Sequence, residues 1–445
     1  MFEKVKKSLA SRFHDVVKYK KQWLWPDLGA GLTVGIVALP LSLALAIAVG
    51  VPPILGLYTA AVAGLSSAFF AGSPYSVSGP AAAMVPILAV AIQEHGLNNL
   101  PFITILAGIF LGIFAVLGIG KLIRKIPEPI VLGFTIGVAV VIFMGQLNSF
   151  LGLTGLAGHD EFVGKVYETL SHIGATNLAS LAIGALTLLA IVFLPKVPVI
   201  GKIPSTLIAV TGATVAVATL PFLNGVATLG SVYGALQLGL PPFIGGDLDF
   251  SKLLDFNLWP AALEIAALIA IESLLCALVA DRITKSSHRS GQELAAQGIA
   301  NISSALFGGI PATAVIARTG TNIKNGAKSR LASIIHALVV IIFLVALAPV
   351  AALIPLTALS AVLIVTAYKI AEIKEVRHFV LTKGWRLATV LLTTMILTIF
   401  IDLVVGVGTG LIAYFILIVA PNLLDSELGH RIKRQFAFAK VKIKR

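Results

Sequence analysis

Long apolar stretches separated by short polar turns run through the chain from residue 27 to residue 421. They divide into fourteen spans: 27–49, 53–71, 75–93, 101–119, 127–147, 176–195, 203–221, 258–280, 292–307, 311–323, 331–350, 355–370, 386–403 and 405–421. Runs of about 15 to 25 apolar residues suit helices that cross a bilayer. The short alternating segments of a β-barrel are missing from the pattern. The longest polar connection, 223–257, separates seven spans from seven, and it carries Asp247, Asp249 and Asp255. An odd number per half turns the two halves over relative to each other, which is the layout of an inverted repeat. The pattern thus predicts an all-α polytopic membrane protein. Residues 1–24 form a basic N-terminal segment, 25–222 a first repeat, 223–257 an external connection, 258–421 a second repeat, and 422–445 a basic tail.

Two spans break the regularity at matching places in the two halves. The third opens on Ser76-Val77-Ser78-Gly79-Pro80-Ala81-Ala82-Ala83 and the tenth on Gly308-Gly309-Ile310-Pro311-Ala312-Thr313-Ala314-Val315-Ile316-Ala317-Arg318. Both read as short half-helices that begin inside the membrane. Ser76–Ser78 and Thr313–Ala317 are β-prone, so each half-helix is expected to follow a short extended piece. Two such pieces can pair with each other and satisfy backbone groups that lipid leaves bare. A helix start offers unpaired N–H groups and the positive end of the helix dipole to an anion. Paired interrupted segments are also the sequence mark of a transporter's substrate site. Ala81, Ala82, Ala83 and Ala317 leave room for a ligand against the backbone. A plain kink is the competing reading of either break taken alone.

Composition agrees with the membrane reading: 58% of the residues are hydrophobic and 12% are charged. The net charge of +13 changes the picture only through its distribution. With the N-terminus in the cytoplasm, all of the 33 Lys and Arg except Lys165, Lys252 and Arg318 fall in inside loops, tails or span ends. That is the positive-inside bias, and it orients both termini to the cytoplasm of an inner (plasma) membrane. Nucleic acid is excluded as a partner, because no aromatic platform accompanies the basic residues. Residues 1–25 are basic and amphipathic without a cleavable-signal pattern. The single cysteine, Cys276, forms no internal disulfide. His95, His159, His172 and His430 fall in loops or tail with no metal-ligand spacing. Neither a phosphate-binding Gly-Lys-Ser/Thr loop nor a nucleophile triad is visible, so an enzyme is not expected. Gly29, Gly31, Gly35 and Gly64 suit close helix packing, and Pro40 is expected to bend the first span.

Arg318 and Glu272 are the ionisable residues of most interest among those that the pattern places in the membrane. Each costs roughly 2.5–3.5 kcal/mol at mid-helix on insertion scales, so each must face protein or a wet cavity. A carboxylate in low dielectric can exchange protons near neutral pH, which makes Glu272 a candidate coupling site. Ser273 adjoins it, and Cys276 lies one turn later on its face. Arg318 is a candidate anion holder. The competing reading makes Glu272 a structural partner, either for Arg318 as a brace or for loose backbone N–H groups.

The residues Asp27-Leu28-Gly29-Ala30-Gly31-Leu32-Thr33-Val34-Gly35-Ile36-Val37-Ala38-Leu39-Pro40, Gly56-Leu57-Tyr58 and Ser78-Gly79-Pro80 resemble the opening signature of the sulfate permease (SulP) family. A second block is similar too: Ala280-Asp281-Arg282, Gln292-Glu293-Leu294, Gln297-Gly298, Asn301, Phe307-Gly308-Gly309-Ile310-Pro311, Arg318-Thr319 and Asn322. The likeness runs from about Trp25 to Ala420. It implies a core domain and a gate domain, each drawn from both repeats, with an anion held between the starts of the third and tenth spans. Carried over by position, the site includes Ser78, Gly79, Pro80, Ala81, Ala82, Ala317 and Arg318, with the first span lining it around Leu39–Leu43, including Ser42. In sodium-using bicarbonate transporters of the family, Asp and Thr stand where this chain has Glu272 and Cys276. A thiol is a poor ligand for a hard cation, so the resemblance implies protons rather than sodium as the coupling ion, with no other cofactor. It also implies a cytoplasmic STAS domain after the last span. This sequence ends without one, as a short natural form or as a piece of a longer chain.

The reading that results is a secondary active transporter of bicarbonate, sulfate or a dicarboxylate, coupled to protons. An uncoupled anion channel or a prestin-like voltage-sensing motor, a sodium-coupled bicarbonate symporter and a nucleobase transporter are the alternatives. The expected partners are a small anion and membrane lipid, with a homodimer left open.

Overall fold

The computed structural model describes residues 19–120, 126–154, 156, 162–198, 203–234, 239–401 and 403–421. The basic segment to residue 18 and the tail from 422 lie outside the described residues, as do His159 and His430. The described chain is almost wholly helical: α1 (Leu24–Val49), α2 (Pro53–Phe70), α3 (Val85–His95), α4 (Leu100–Leu117), α5 (Glu128–Leu151), α6 (Phe162–Ser171), α7 (Leu178–Phe193), α8 (Ser205–Thr219), α9 (Leu229–Tyr233), α10 (Trp259–Thr284), α11 (Ser290–Leu306), α12 (Ile316–Lys324), α13 (Leu331–Ala346), α14 (Ala348–Ala351), α15 (Leu356–Ile370), α16 (Ile373–Thr382), α17 (Trp385–Phe400) and α18 (Leu403–Tyr414). Among the described residues, seven helices are long and apolar enough to cross a membrane, and five more are shorter and apolar. With α11 and α12 they account for the fourteen predicted spans. The connections are less loop-like than their polarity predicts, since α6, α9 and α16 form within them.

Local chemistry sets the helix ends. Pro53, Pro86, Pro101 and Pro260 sit in first turns, where a missing N–H costs nothing. Gly50 and Gly118 close α1 and α4 in the left-handed conformation that a side chain disfavours. Pro40 lies inside α1, which continues as one helix through it for 26 residues.

The chain forms two compact units, and each takes residues from both sides of the 223–257 connection. The larger comprises 1–125, 142–160 and 164–367. In it α11 lies along α4 and α2, while α13 lies along α1 and α2. Gly108 and Gly298 permit the α4–α11 approach: a Cβ on either would meet the other's carbonyl oxygen at 2.7 Å. Gly31 and Gly35 play the same part for α1 against Ile335 and Val339 of α13. Gly29, grouped with them from sequence, has nothing within 4 Å and takes no part in close packing. The smaller unit comprises 126–141, 161–163 and 368–445. Its packing centres on Leu132, Phe379 and Leu391, and α17 lies along α18.

Two short strands meet within the larger unit. β1 (Ser78–Gly79) pairs antiparallel with β2 (Thr313–Ala314) in the register Ser78↔Ala314 and Gly79↔Thr313. The Val315 N–H donates to the Val77 carbonyl at 3.0 Å and extends the ladder by one pair. The pairing expected between the extended pieces is therefore present, but it is shorter than Thr313–Ala317. Ile316 and Ala317 already belong to α12. Both strands are buried, so each satisfies the other's backbone where water is excluded.

Candidate functional site

A polar face on α11 fixes both extended pieces. Glu293, Gln297, Asn301 and Ser304 recur at helical spacing and are all buried. Glu293 Oε2 accepts the N–H groups of Gly72 at 2.7 Å and Ser73 at 3.0 Å. Gln297 Nε2 donates to Ser78 Oγ at 2.9 Å. Asn301 takes both groups of Ala312: its Oδ1 accepts the Ala312 N–H at 2.8 Å, and its Nδ2 donates to the Ala312 carbonyl at 2.9 Å. Ser304 Oγ donates to the Ile310 carbonyl at 2.8 Å, and Thr59 Oγ1 of α2 accepts the Ile310 N–H at 2.7 Å. One helix thus holds the approach to both half-helices. Replacing Asn301 with alanine should orphan two buried backbone groups at about 1–3 kcal/mol each. A fall in the unfolding temperature of the purified protein checks this.

On the other side, α10 anchors β2 and α12. Ser273 Oγ lies 2.8 Å from Thr313 Oγ1 and accepts the Ala314 N–H at 3.3 Å. The Cys276 thiol donates to Thr319 Oγ1 at 3.1 Å, and that oxygen also accepts the Val77 N–H at 3.1 Å. Ser273 and Cys276, grouped from sequence with a coupling site, are buried and already engaged in holding the strand pair. Glu272 differs. Its Oε2 is shut off from solvent and has no hydrogen-bond partner.

The half-helices start open. The helical turn at Ala82–Met84 that leads into α3 begins from an extended Ala81, and α12 begins from an extended Val315. Neither start has a side-chain cap. Ala81 and Ala82 are buried, whereas Ala317 is exposed. Arg318, three residues past the Val315 N-cap, is only 2% exposed. Its Nη2 donates to Ser42 Oγ of α1 at 3.0 Å and to the Pro80 carbonyl at 3.3 Å. Its Nε and Nη1 have no partner. Gly79 is what admits the guanidinium, since a Cβ there would collide with Nη1. Gly79→Val should therefore displace Arg318 and cut anion affinity at least about tenfold, the loss of one charged hydrogen bond. Labelled-anion binding measures it.

The structure thus brings Ser42, Gly79 and Pro80 onto Arg318, and it seats Leu39 in the same buried stretch of α1. Ser78 faces Gln297 instead. Among the described residues, Arg318 and Glu272 form no ion pair with each other, so the structural brace considered from sequence is not made. Sequence reasoning missed the polar face of α11 and His336 of α13. His336 is completely buried, and both its ring nitrogens lack a partner. The signal was present: the 293, 297, 301 spacing marks a helix face, and an ionisable residue in an apolar span marks a functional candidate.

An open pair of helix starts with a buried guanidinium free at Nε and Nη1 presents donors and positive charge without a full set of partners. Residues 24–398 match the sulfate permease family. The chain belongs to that family. It is a family of transporters, not enzymes. A putative sulfate transporter of Bacillus subtilis (strain 168), YvdB, is 41% identical over 398 residues, covering 89% of this chain and 74% of its own length. The bicarbonate transporter BicA of Picosynechococcus sp. is 28% identical over 395 residues, with 86% and 68% covered. Among solved structures, the transmembrane domain of a cyanobacterial bicarbonate transporter BicA superposes with a TM-score of 0.76 at 26% identity, covering 88% of this chain and 99% of that one. SLC26A9 shares the fold with a TM-score of 0.82 at 19% identity, over 94% of this chain and 69% of its own. This sulfate permease family member is accordingly an all-α, multi-pass membrane protein and an anion transporter.

Proposed function

We propose that this chain is a proton-coupled secondary transporter of a small oxyanion, bicarbonate, sulfate or a dicarboxylate, in an inner (plasma) membrane with both termini cytoplasmic. The observation that carries the reading is Arg318: buried, and free at Nε and Nη1. A guanidinium left half-bonded in low dielectric is costly. It is matched by an anion that accepts from its free edge and from the open N–H groups at the start of α12. Small alanines at the start of α3 leave space for the oxygens on the other side. Glu272 supplies the coupling group, because its carboxyl is the one at the site with an oxygen left unbonded. Its proton neutralises charge as the anion crosses. Movement of a core domain against a gate domain would carry the loaded site from one face to the other, and a homodimer is the proposed assembly.

Uptake into proteoliposomes tests the reading. Labelled bicarbonate, sulfate and a dicarboxylate are offered at two pH values, with and without sodium. The expected result is saturable uptake of at least one of them, faster at the lower external pH and indifferent to sodium. Dependence on sodium would move the coupling to a cation site instead.

A further inference from the structure

We propose that His336 is a second proton site, loaded when an anion binds at Arg318. This rests on the reading of Arg318 given above. His336 lies on α13 between α1 and α2, completely buried, with neither ring nitrogen hydrogen-bonded. A neutral imidazole has one donor and one acceptor nitrogen, so leaving both unused in a protein core is expensive. Two backbone carbonyls lie near the ring. The Val34 carbonyl of α1 faces the ring without a formed hydrogen bond. On the α2 side, a Cβ at Gly64 would stand 3.3 Å from the Ser78 carbonyl oxygen and 3.6 Å from His336 Nε2. The carbonyl and the ring nitrogen therefore both lie on the Gly64 side. Antiparallel alternation supports a free Ser78 carbonyl: residues 77 and 79 face their partners as the hydrogen-bonded pairs, which turns the backbone of Ser78 away from β2. Two nearby acceptors suit imidazolium, which donates from both nitrogens.

A buried ring resists carrying charge, and a nearby cation adds to that resistance. Arg318 is close by: its Nη1 abuts Gly79, the neighbour of the Ser78 whose carbonyl lies with the ring on the Gly64 side. The other titratable groups on the elements around His336 are occupied or distant. Asp27 of α1 accepts from the Lys328 and Ser329 N–H groups and from Ser329 Oγ. Tyr58 of α2 lies beside Gly308. Tyr75 packs on Ala30, Ala327 and Ala332. Lys324 is exposed at the end of α12, and Arg330 donates to the Phe69 carbonyl at 2.9 Å. A second cation beside an uncompensated guanidinium is unfavourable. An anion on Arg318 offsets that like-charge cost, so anion binding and proton uptake at His336 assist each other, reciprocally. The proton comes from water, adds to the free ring nitrogen and leaves when the anion does.

The test is the 15N spectrum of histidine-labelled protein in lipid bilayers, read from about pH 5 to pH 8, where histidine titrates. His336 is assigned by the signal lost in H336Q. Saturating sulfate or bicarbonate should convert His336 from neutral imidazole to imidazolium at a pH at least about one unit higher than in anion-free protein, a tenfold gain in proton affinity. R318Q should abolish this response to the anion. If H336Q does not fold, proton uptake by the E272Q protein on adding the same anions, with and without R318Q, reads the same link. A His336 that stays neutral with and without either anion overturns the proposal. If it does so while transport still depends on Arg318, only the proton site falls. Transport that does not depend on Arg318 would overturn the anion reading itself.

Discussion

Replacing Arg318 with alanine should abolish specific anion uptake while leaving the protein folded. The guanidinium already makes two hydrogen bonds, to Ser42 and the Pro80 carbonyl, and keeps Nε and Nη1 free. A charge-assisted hydrogen bond to an anion contributes about 1.5–3 kcal/mol. Losing one weakens binding roughly 10- to 150-fold, and losing two removes it at working concentrations. Stability should change much less, because the same substitution removes an unpaired buried charge. Arg318→Lys should recover part of the affinity, since it keeps the charge but not the planar fork. Binding of labelled anion and the unfolding temperature, measured on the same preparations, separate the two roles. Unchanged affinity in a merely less stable protein would make Arg318 a brace for α1 and the strand pair.

Replacing Glu272 with glutamine should weaken the coupling of transport to the proton gradient, leaving only the proton carried at His336. Glutamine keeps the size and hydrogen-bonding capacity of the carboxylic acid but carries no titratable proton. The variant should still exchange anion for anion across the membrane. It should lose most of the acceleration by external acid and accumulate less substrate than the parent protein. Counterflow and gradient-driven uptake in the same vesicles measure the two. Ser273 and Cys276 make the contrasting case, since both already anchor the strand pair and α12. Ser273→Ala should act mainly on stability, by about 1 kcal/mol for the lost hydrogen bond.

Much of this arrangement is legible in the sequence because lipid is an unforgiving solvent. A backbone that breaks its helix in the membrane must find partners inside the protein. Gly-Pro breaks at matching points therefore located the strand pair to within a residue or two. Arg318 and Glu272 stood out because charge in an apolar span needs a reason. Their relation was not legible: spacing along the chain does not say whether two intramembrane charges meet, and these form no ion pair. The role of α11 was hidden for a different reason. Glu293, Gln297 and Asn301 look like family signature residues, and only the fold reveals that they hold Gly72, Ser78 and Ala312. Gly29 shows the opposite failure, since a glycine that fits a packing motif has no neighbour to pack on. His336 was passed over because one histidine in an otherwise apolar helix reads as part of the core. Burial without a partner for either nitrogen is a property of three dimensions.

The central claim is that one anion, held at Arg318 between two open helix starts, crosses the membrane with a proton. Accumulation of labelled anion in sodium-free proteoliposomes under an inward proton gradient tests it most directly. The predicted result is an internal concentration above the external one, which collapses when the proton gradient is dissipated and is absent in Arg318→Ala. Uptake that never exceeds equilibrium, or that persists undiminished in Arg318→Ala, would contradict it.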